Sequence, residues 1–248
     1  MLLAAALGLA GIAQPPAAAD VTAVKGGADG YRLQVSLFGG PVNTRGVGQV
    51  TCSGNPPTPP GCVPADQAEE ASSPSVVLAS DGGRLNQSKP EGAAARVGPA
   101  TFFSSGQLDV ATSGGLGADG SVSSSTQILN INRDGSEVFT AVAATSTCTA
   151  SETGVSASTT ITGGTLQTDS GDDGLGTAHD PVVVPVPTNP EPNTTYDGHI
   201  HVNGTTDSFR YVFNEQVLNP DGSITVYAAH QYLLGPTAVG DLYIGKAE

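Results

Sequence analysis

The sequence predicts an antiparallel all-β sandwich or jelly-roll-like domain with long loops. Three observations point there. Gly, Ser, Thr and Val are plentiful while strong helix formers thin out beyond the first residues. Several runs alternate apolar and polar side chains, as in Tyr31 to Phe38 and in the stretch from Tyr196 to Gly245. Asn203-Gly204 and Asp221-Gly222 punctuate that second stretch, and such dipeptides accept the positive φ angles of tight hairpin turns.

In chain order, Met1 to Ala13 is apolar with no polar face, and Ala17-Ala18-Ala19 precedes Asp20. This pattern predicts a secretory signal peptide over residues 1–19, cleaved after Ala19 and too short to span a bilayer. The remaining residues, 20–248, suffice for a single extracellular domain that buries a core without metal or disulfide staples. Tyr31 to Phe38 reads as the first strand, ended by Gly39-Gly40-Pro41. Residues 53–74 are rich in Pro, Ser and Ala and read as a loop. Ser75 to Leu78 reads as a short strand before a turn at Asp81-Gly82-Gly83.

From Ala100 to Thr168 the chain is a series of Ser/Thr-rich strands with one wet face, and Asp134-Gly135 joins Ser121–Asn132 to Glu137–Ala150. Residues 169–180 form an acidic, Gly-rich loop. The prolines within Val182 to Pro187 restrict it to an edge strand or connector. An antiparallel meander follows, with Phe209, Tyr211 and Phe213 on one buried face.

Composition excludes several partners. Nine Lys plus Arg stand against 23 acids, for a formal net charge of −14. Such a surface cannot neutralise phosphates, so nucleic acid is excluded, and so is an anionic membrane. Cation binding and solubility are favoured. Cys52 and Cys62 flank a turn-rich loop and are expected to form a local disulfide, which leaves Cys148 as a free buried thiol or with a partner in a longer chain.

Two groups of side chains suggest an ion. Asp197, His199, His201 and Asn203 fall on one face of a strand, and the His199/His201 pair suits zinc or a similar ion if a third ligand converges. Asp169, Asp172, Asp173 and Asp180 cluster in a Gly-rich loop that suits calcium and its hard oxygen ligands. The EF-hand template fails, because Gly171 replaces a ligand and the flanks are not helical. His230 alternates in register with Ile224, Val226, Ala228 and Tyr232, so it reads as a satisfied core histidine. His179 in its loop draws no attention by itself. Tyr227 and Tyr243 are the candidates for an aromatic binding platform. Asn86, Asn193 and Asn203 match the N-glycosylation pattern. The nucleophile elbow, HExxH, the P-loop and the dinucleotide fingerprint are all absent from the sequence.

The phrases Ser36-Leu-Phe-Gly-Gly-Pro, Gly98-Pro-Ala-Thr-Phe-Phe-Ser-Ser-Gly, Val182-Val-Val-Pro-Val-Pro-Thr-Asn-Pro, Gly198-His-Ile-His-Val-Asn-Gly and Leu234-Gly-Pro-Thr-Ala-Val-Gly-Asp together resemble the choice-of-anchor P family of exported actinobacterial proteins. The resemblance spans most of the chain from Asp20. It implies a surface protein with a variable carboxyl-terminal anchor and brings no catalytic residues. Gly245-Lys-Ala-Glu carries no LPxTG-like motif, apolar helix or basic tail, so the expectation is either release to the medium or a longer parent chain.

The expectation for function is an exported, non-enzymatic surface or secreted module with a structural, adhesive or binding role toward an extracellular or cell-envelope partner. The alternative is a secreted metal-dependent hydrolase built on His199 and His201, in which a zinc ion would activate water.

Overall fold

The computed structural model describes residues 20–46, 73–90, 92–98, 100–132, 138–171, 179–202 and 205–248. The amino-terminal segment, the Cys52/Cys62 loop, Asp134-Gly135, Asp172, Asp173 and Asn203-Gly204 lie outside the described residues. Among the described residues every regular element is a strand, as the composition predicts.

Two sheets face each other. The first contains β1 (Gly27–Leu37), β2 (Val42–Gly46), β3 (Ser75–Val77), β11 (Thr165–Asp169), β12 (Val182–Pro185), β13 (Thr194–Val202), β14 (Thr205–Leu218), β15 (Ile224–Gly235) and β16 (Ala238–Ala247). Its long path runs β2-β1-β16-β15-β14-β13-β11. The second contains β4 (Gly83–Lys89), β7 (Leu108–Gly115), β8 (Ser121–Ile131), β9 (Phe139–Ser151) and β10 (Gly154–Thr162). They join into one curled, continuous sheet where the start of β9 pairs with β11, Phe139 opposite Leu166 and Thr140 opposite Thr165. A separate hairpin, β5 (Ala93–Val97) with β6 (Ala100–Ser105), adds Ala95 and Phe103 to the core.

The expected meander is β13 to β16, and β1 joins it by pairing with β16. Among the described residues the pairing is antiparallel except at one point, where β11 meets β13 in parallel at Asp169 and His199. The edge strand read from the prolines is β12, which pairs with β11. The strands β2, β4 and β5 have no counterpart in the sequence reading. They are short or dominated by polar or small side chains, so periodicity is weak there.

Phe209, Tyr211 and Phe213 are buried as expected; Tyr211 and Phe213 pack against Phe139, whose ring centroid lies 5.0 Å from that of Phe213, and Phe209 packs on Tyr211. Tyr211 stacks on Phe213 at 5.4 Å with an interplanar angle of 11°. Tyr31 and Phe103 make a second aromatic contact at 4.6 Å. Together these rings fill the space between the sheets with Leu33, Leu108, Ile128 and Leu242.

Simple alternation fails at the Ser208/Phe209 bulge and again at one level in the middle of the meander. Ala228 and Ala229 are consecutive in β15, yet both are buried in the main core. On the flanking strands Asn214 has φ of +50° and Gly245 φ of +67°, the left-handed region that reverses the alternation. The Ala228 level is missing from both ladders, which pass from Phe213↔Ala229 to Glu215↔Tyr227 and from Ala229↔Ile244 to Tyr227↔Lys246. A side chain at Gly245 would meet the Ala228 Cβ at 3.0 Å and the Ile128 Cδ1 at 3.4 Å.

Carbonyls near this level are satisfied from the opposite sheet. The Ser146 hydroxyl donates to the Gly245 carbonyl and the Thr126 hydroxyl to the Lys246 carbonyl, each at 2.7 Å. The Cys148 thiol lies 3.2 Å from the Ile224 carbonyl. Gln216 donates its amide to the Ala157 carbonyl at 3.0 Å. The Ser/Thr-rich strands therefore differ from the expectation of one wet face only: Thr112, Ser124, Thr126, Ser146 and Thr159 are buried between the sheets.

Replacing Ser146 with Ala leaves the Gly245 carbonyl buried without its donor. It is expected to destabilise the fold by about 1–3 kcal/mol, read as a fall in the urea midpoint at unchanged m-value. An unchanged midpoint would show that this bond contributes nothing.

Candidate functional site

The outer face of the meander is assembled by register. On β13 and β14, Asp197 lies opposite Arg210 and His199 opposite Ser208. The Arg210 guanidinium grips Asp197 with two bonds, Nε to Oδ1 at 2.8 Å and Nη2 to Oδ2 at 3.3 Å. This pairing holds the Asp197 carboxyl below its usual range and raises Arg210.

The single parallel contact brings Asp169 beside His199, with Oδ2 3.0 Å from the His199 Nε2. The same oxygen lies 3.2 Å from the His179 Nε2, and the Gly171 amide donates to Oδ1 at 2.9 Å. The Gly171 bond, then the His179 bond and the two imidazole charges, hold Asp169 below the usual carboxylate range against the opposing effect of burial.

Asp169 and His199, read from sequence as parts of two separate ion sites, therefore belong to one cluster. His179 is the member that sequence reasoning missed. A loop histidine has no periodicity, so only the return of the chain toward Asp169 reveals it. Asp180 is exposed. His201 is two positions beyond His199 on β13, opposite Thr206. Asp172 and Asp173 lie outside the described residues, and among the described residues no group of three or more His, Cys, Asp or Glu side chains has the arrangement to hold a metal ion.

Asp197, Gly198, His199, Ser208, Arg210 and Leu234, with the edge of Phe209, line a shallow open depression of about 430 Å³. Its volume falls in the range of small-molecule sites.

Beyond Arg210, the same face carries a densely bonded polar group. The reversed alternation sends Glu215, Tyr227 and Lys246 outward, and His230 with them, rather than onto the apolar stripe of Ile224, Val226 and Ala228. His230 is buried and satisfied, as expected, but by carboxylates. Its Nδ1 is hydrogen-bonded to the Glu215 Oε2, and its Nε2 lies 3.3 Å from the Asp241 Oδ2. The Tyr232 hydroxyl donates to the Glu215 Oε1 at 2.7 Å. The ring centroids of Tyr232 and Tyr227 lie 4.1 and 5.1 Å from that of His230. Tyr227 and Tyr243 are 5.1 Å apart, and Tyr243 is 8% exposed, so they form the wall of this cluster rather than an open platform.

Burial draws the His230 pKa down, but the bonds and charges of Asp241 and Glu215 outweigh it and the net direction is up. For Glu215 burial pushes upward, while His230 and Tyr232 pull it below its ordinary value. Lys246 bridges to Glu248 at 2.8 Å and Asp29 at 3.6 Å.

Cys148 is a free buried thiol, and burial followed by the Glu248 charge pushes it up to about 11, which leaves it unreactive. Cys52 and Cys62, the expected disulfide, lie outside the described residues. Among the described residues no helix is long and apolar enough to cross a membrane. Comparison with protein-family models, curated proteins and solved structures returned no significant match.

The Glu215–His230 pair makes stability depend on pH. His230, raised in the fold, contributes fully below its unfolded pKa of about 6.5, and the contribution is lost as pH rises through the folded value. Glu215, lowered in the fold, contributes above its unfolded pKa of about 4.3, and that is lost as pH falls through its folded value. Stability from the pair is therefore greatest between these limits. His230→Gln is expected to remove the decline on the alkaline side, measured as urea midpoints from pH 5 to pH 9. An identical decline in the variant would assign it to other groups.

Proposed function

We propose that this chain is an exported, non-enzymatic β module that binds an extracellular or cell-envelope partner through the outer face of the β13–β16 meander and β1. The supporting observation is where the scarce side chains lie. The chain has nine Lys plus Arg, six Tyr and four His. Arg32, Arg210, Lys246, Tyr227, Tyr232, Tyr243, His199 and His230 all stand on this face. The outer face of the other sheet is a field of hydroxyls, where Thr147 meets Ser158 and Thr149 meets Ser156. Eight of these nineteen side chains share one sheet face, some exposed and some buried beneath their neighbours, and such a mixture of charge and aromatic surface suits recognition.

Export is supported by the apolar start and the Ala17-Ala18-Ala19 site, and by the resemblance to the choice-of-anchor P family. The acidic balance argues against nucleic acid as the partner.

The test uses isolated cell envelopes as the probe. The chain from Asp20 onward is expected to co-sediment with them, and the double substitution Arg210→Ala with Tyr232→Ala is expected to cut the bound fraction about tenfold or more. Arg84→Ala with Asp109→Ala, on the other sheet, should leave it unchanged. Equal retention by both double variants would overturn the assignment of this face.

A second reading, a secreted metal-dependent hydrolase, draws on Asp169, His179 and His199, ligand types for zinc that contact one another directly here and would have to separate around an ion to hold it. Calcium in the Asp169–Asp180 loop is the other ion to consider. Metal content by mass spectrometry, with melting curves with and without chelator, decides between them. Stoichiometric zinc lost in His199→Ala would bring the hydrolase forward, and stoichiometric calcium lost together with stability would make the loop a structural ion site. Metal-free protein unaffected by chelator would remove both.

A further inference from the structure

Register carries one row of side chains straight across the outer face. Asp197 pairs with Arg210, Arg210 with Tyr232, Tyr232 with Asp241, Asp241 with Gln34 and Gln34 with Thr44. The rows of residues on either side in sequence point inward, with Tyr211, Gln231, Leu242, Leu33 and Arg45 all buried. The six outward residues therefore form a line perpendicular to the strands. Five strand spacings of about 4.8 Å make it about 24 Å long.

The members of this line retain unused hydrogen-bonding capacity. Asp241 meets His230 through Oδ2, and no other described residue bonds to its Oδ1. The Gln34 amide and the Thr44 hydroxyl, both half-buried, make no hydrogen bond to another of the described residues. At the other end the line opens into the depression beside His199 and Ser208. Alongside it runs an apolar margin at the next level, where Leu234 pairs with Val239, and Val42 lies beyond Ser36. These three apolar side chains are 56%, 54% and 66% exposed.

We propose that the row Asp197–Arg210–Tyr232–Asp241–Gln34–Thr44 is a binding track for an extended, neutral polysaccharide laid across the strands. This rests on the binding-module reading and names its ligand class. Acceptors (Asp197, Asp241 and the Tyr232 oxygen, whose hydrogen goes to Glu215), a donor (Arg210) and groups that do both (Gln34, Thr44) are spread along the track. Sugar hydroxyls, which donate and accept in neighbouring pairs, use such a mixture. The apolar margin and the Tyr232 ring offer contact to the C–H faces of sugar rings. An extended β-linked pyranose chain advances by about 5 Å per ring, close to the strand spacing, so successive strands meet successive rings. The net charge of −14 opposes a polyanion. An extended peptide takes its affinity from free backbone groups at a sheet edge, which the middle of a sheet does not offer.

The experiment is calorimetric titration of the chain from Asp20 onward with soluble β-1,4-linked oligosaccharides of glucose and of mannose, in a series of increasing length. Affinity is expected to rise with length and to level off at about five rings, when the track is filled. Gln34→Ala and Thr44→Ala, whose side chains bond to no other of the described residues, are expected to weaken binding about tenfold together without moving the melting temperature. No binding by either series, affinity independent of length, or affinity indifferent to Gln34 and Thr44 would overturn the proposal. Capture of an extended peptide on the same row would overturn it equally. Should envelopes still be bound through Arg210 and Tyr232 while both oligosaccharide series fail, the glycan assignment falls and the binding-module reading stands.

Discussion

The fold turns on a single level of the meander, where Asn214, Ala228 and Gly245 sit side by side and the inward and outward faces exchange. A β-sheet whose strands kept strict alternation would send Glu215, Tyr227 and Lys246 into the core beside Phe213 and Ile244. The left-handed backbone at Asn214 and Gly245 prevents this by inserting a half-step into each flanking strand at the same height. The exchange interrupts the ladders, and interrupted ladders leave carbonyls without partners inside the protein. Ser146 and Thr126 answer that need from the opposing sheet. The two sheets are thus tied by hydroxyl-to-carbonyl bonds as well as by the aromatic stack around Phe139 and Phe213, and the bonds fix which level of one sheet faces which level of the other.

The same exchange creates the outer face. Above it, Phe209, Tyr211 and Phe213 occupy the core while Arg210 and Ser208 face out. Below it, Asn214 and Gln216 turn inward and Glu215 turns out. His230 therefore lands between Glu215 and Asp241, carboxylates from two neighbouring strands, and becomes the centre of a charged cluster in a protein otherwise poor in cations. Burial alone would keep this imidazole neutral. Two carboxylates within hydrogen-bonding reach reverse the balance, because removing water strengthens the attraction of opposite charges as much as it penalises a lone charge. The cluster is held on adjacent, well-paired strands, so it is rigid, and a rigid polar face is suited to recognition at low entropic cost.

The two ends of the face differ in character. Around His199 the chemistry is open: Asp169 collects two imidazoles at the one place where the sheet pairs in parallel, and Arg210 and Asp197 stand exposed beside a shallow depression. Around His230 it is closed in by three tyrosine rings. Between them, the pairing of β14, β15, β16, β1 and β2 carries polar side chains across the sheet without interruption.

The sequence by itself determined the all-β class, the meander and its inward aromatic face, and the proline-marked edge strand. Each depends on short-range physics: alternation, turn dipeptides with positive φ, and the missing amide of proline. It also marked Asp169, His199 and Cys148 as residues of interest, and placed His230 among buried, satisfied groups. Only the tertiary structure decided that Asp169 and His199 share one cluster with His179, because their meeting depends on a strand contact between residues thirty apart. It alone decided that His230 faces carboxylates, since extrapolating a period of two past Ala228 gives the wrong face. It alone put Ser146 and Thr126 in the core, because a hydroxyl looks the same in sequence whether it meets water or a carbonyl freed by a distant kink. Local patterns report on what neighbours in the chain do to each other, whereas these sites are made by strands that meet across the sheet and between sheets.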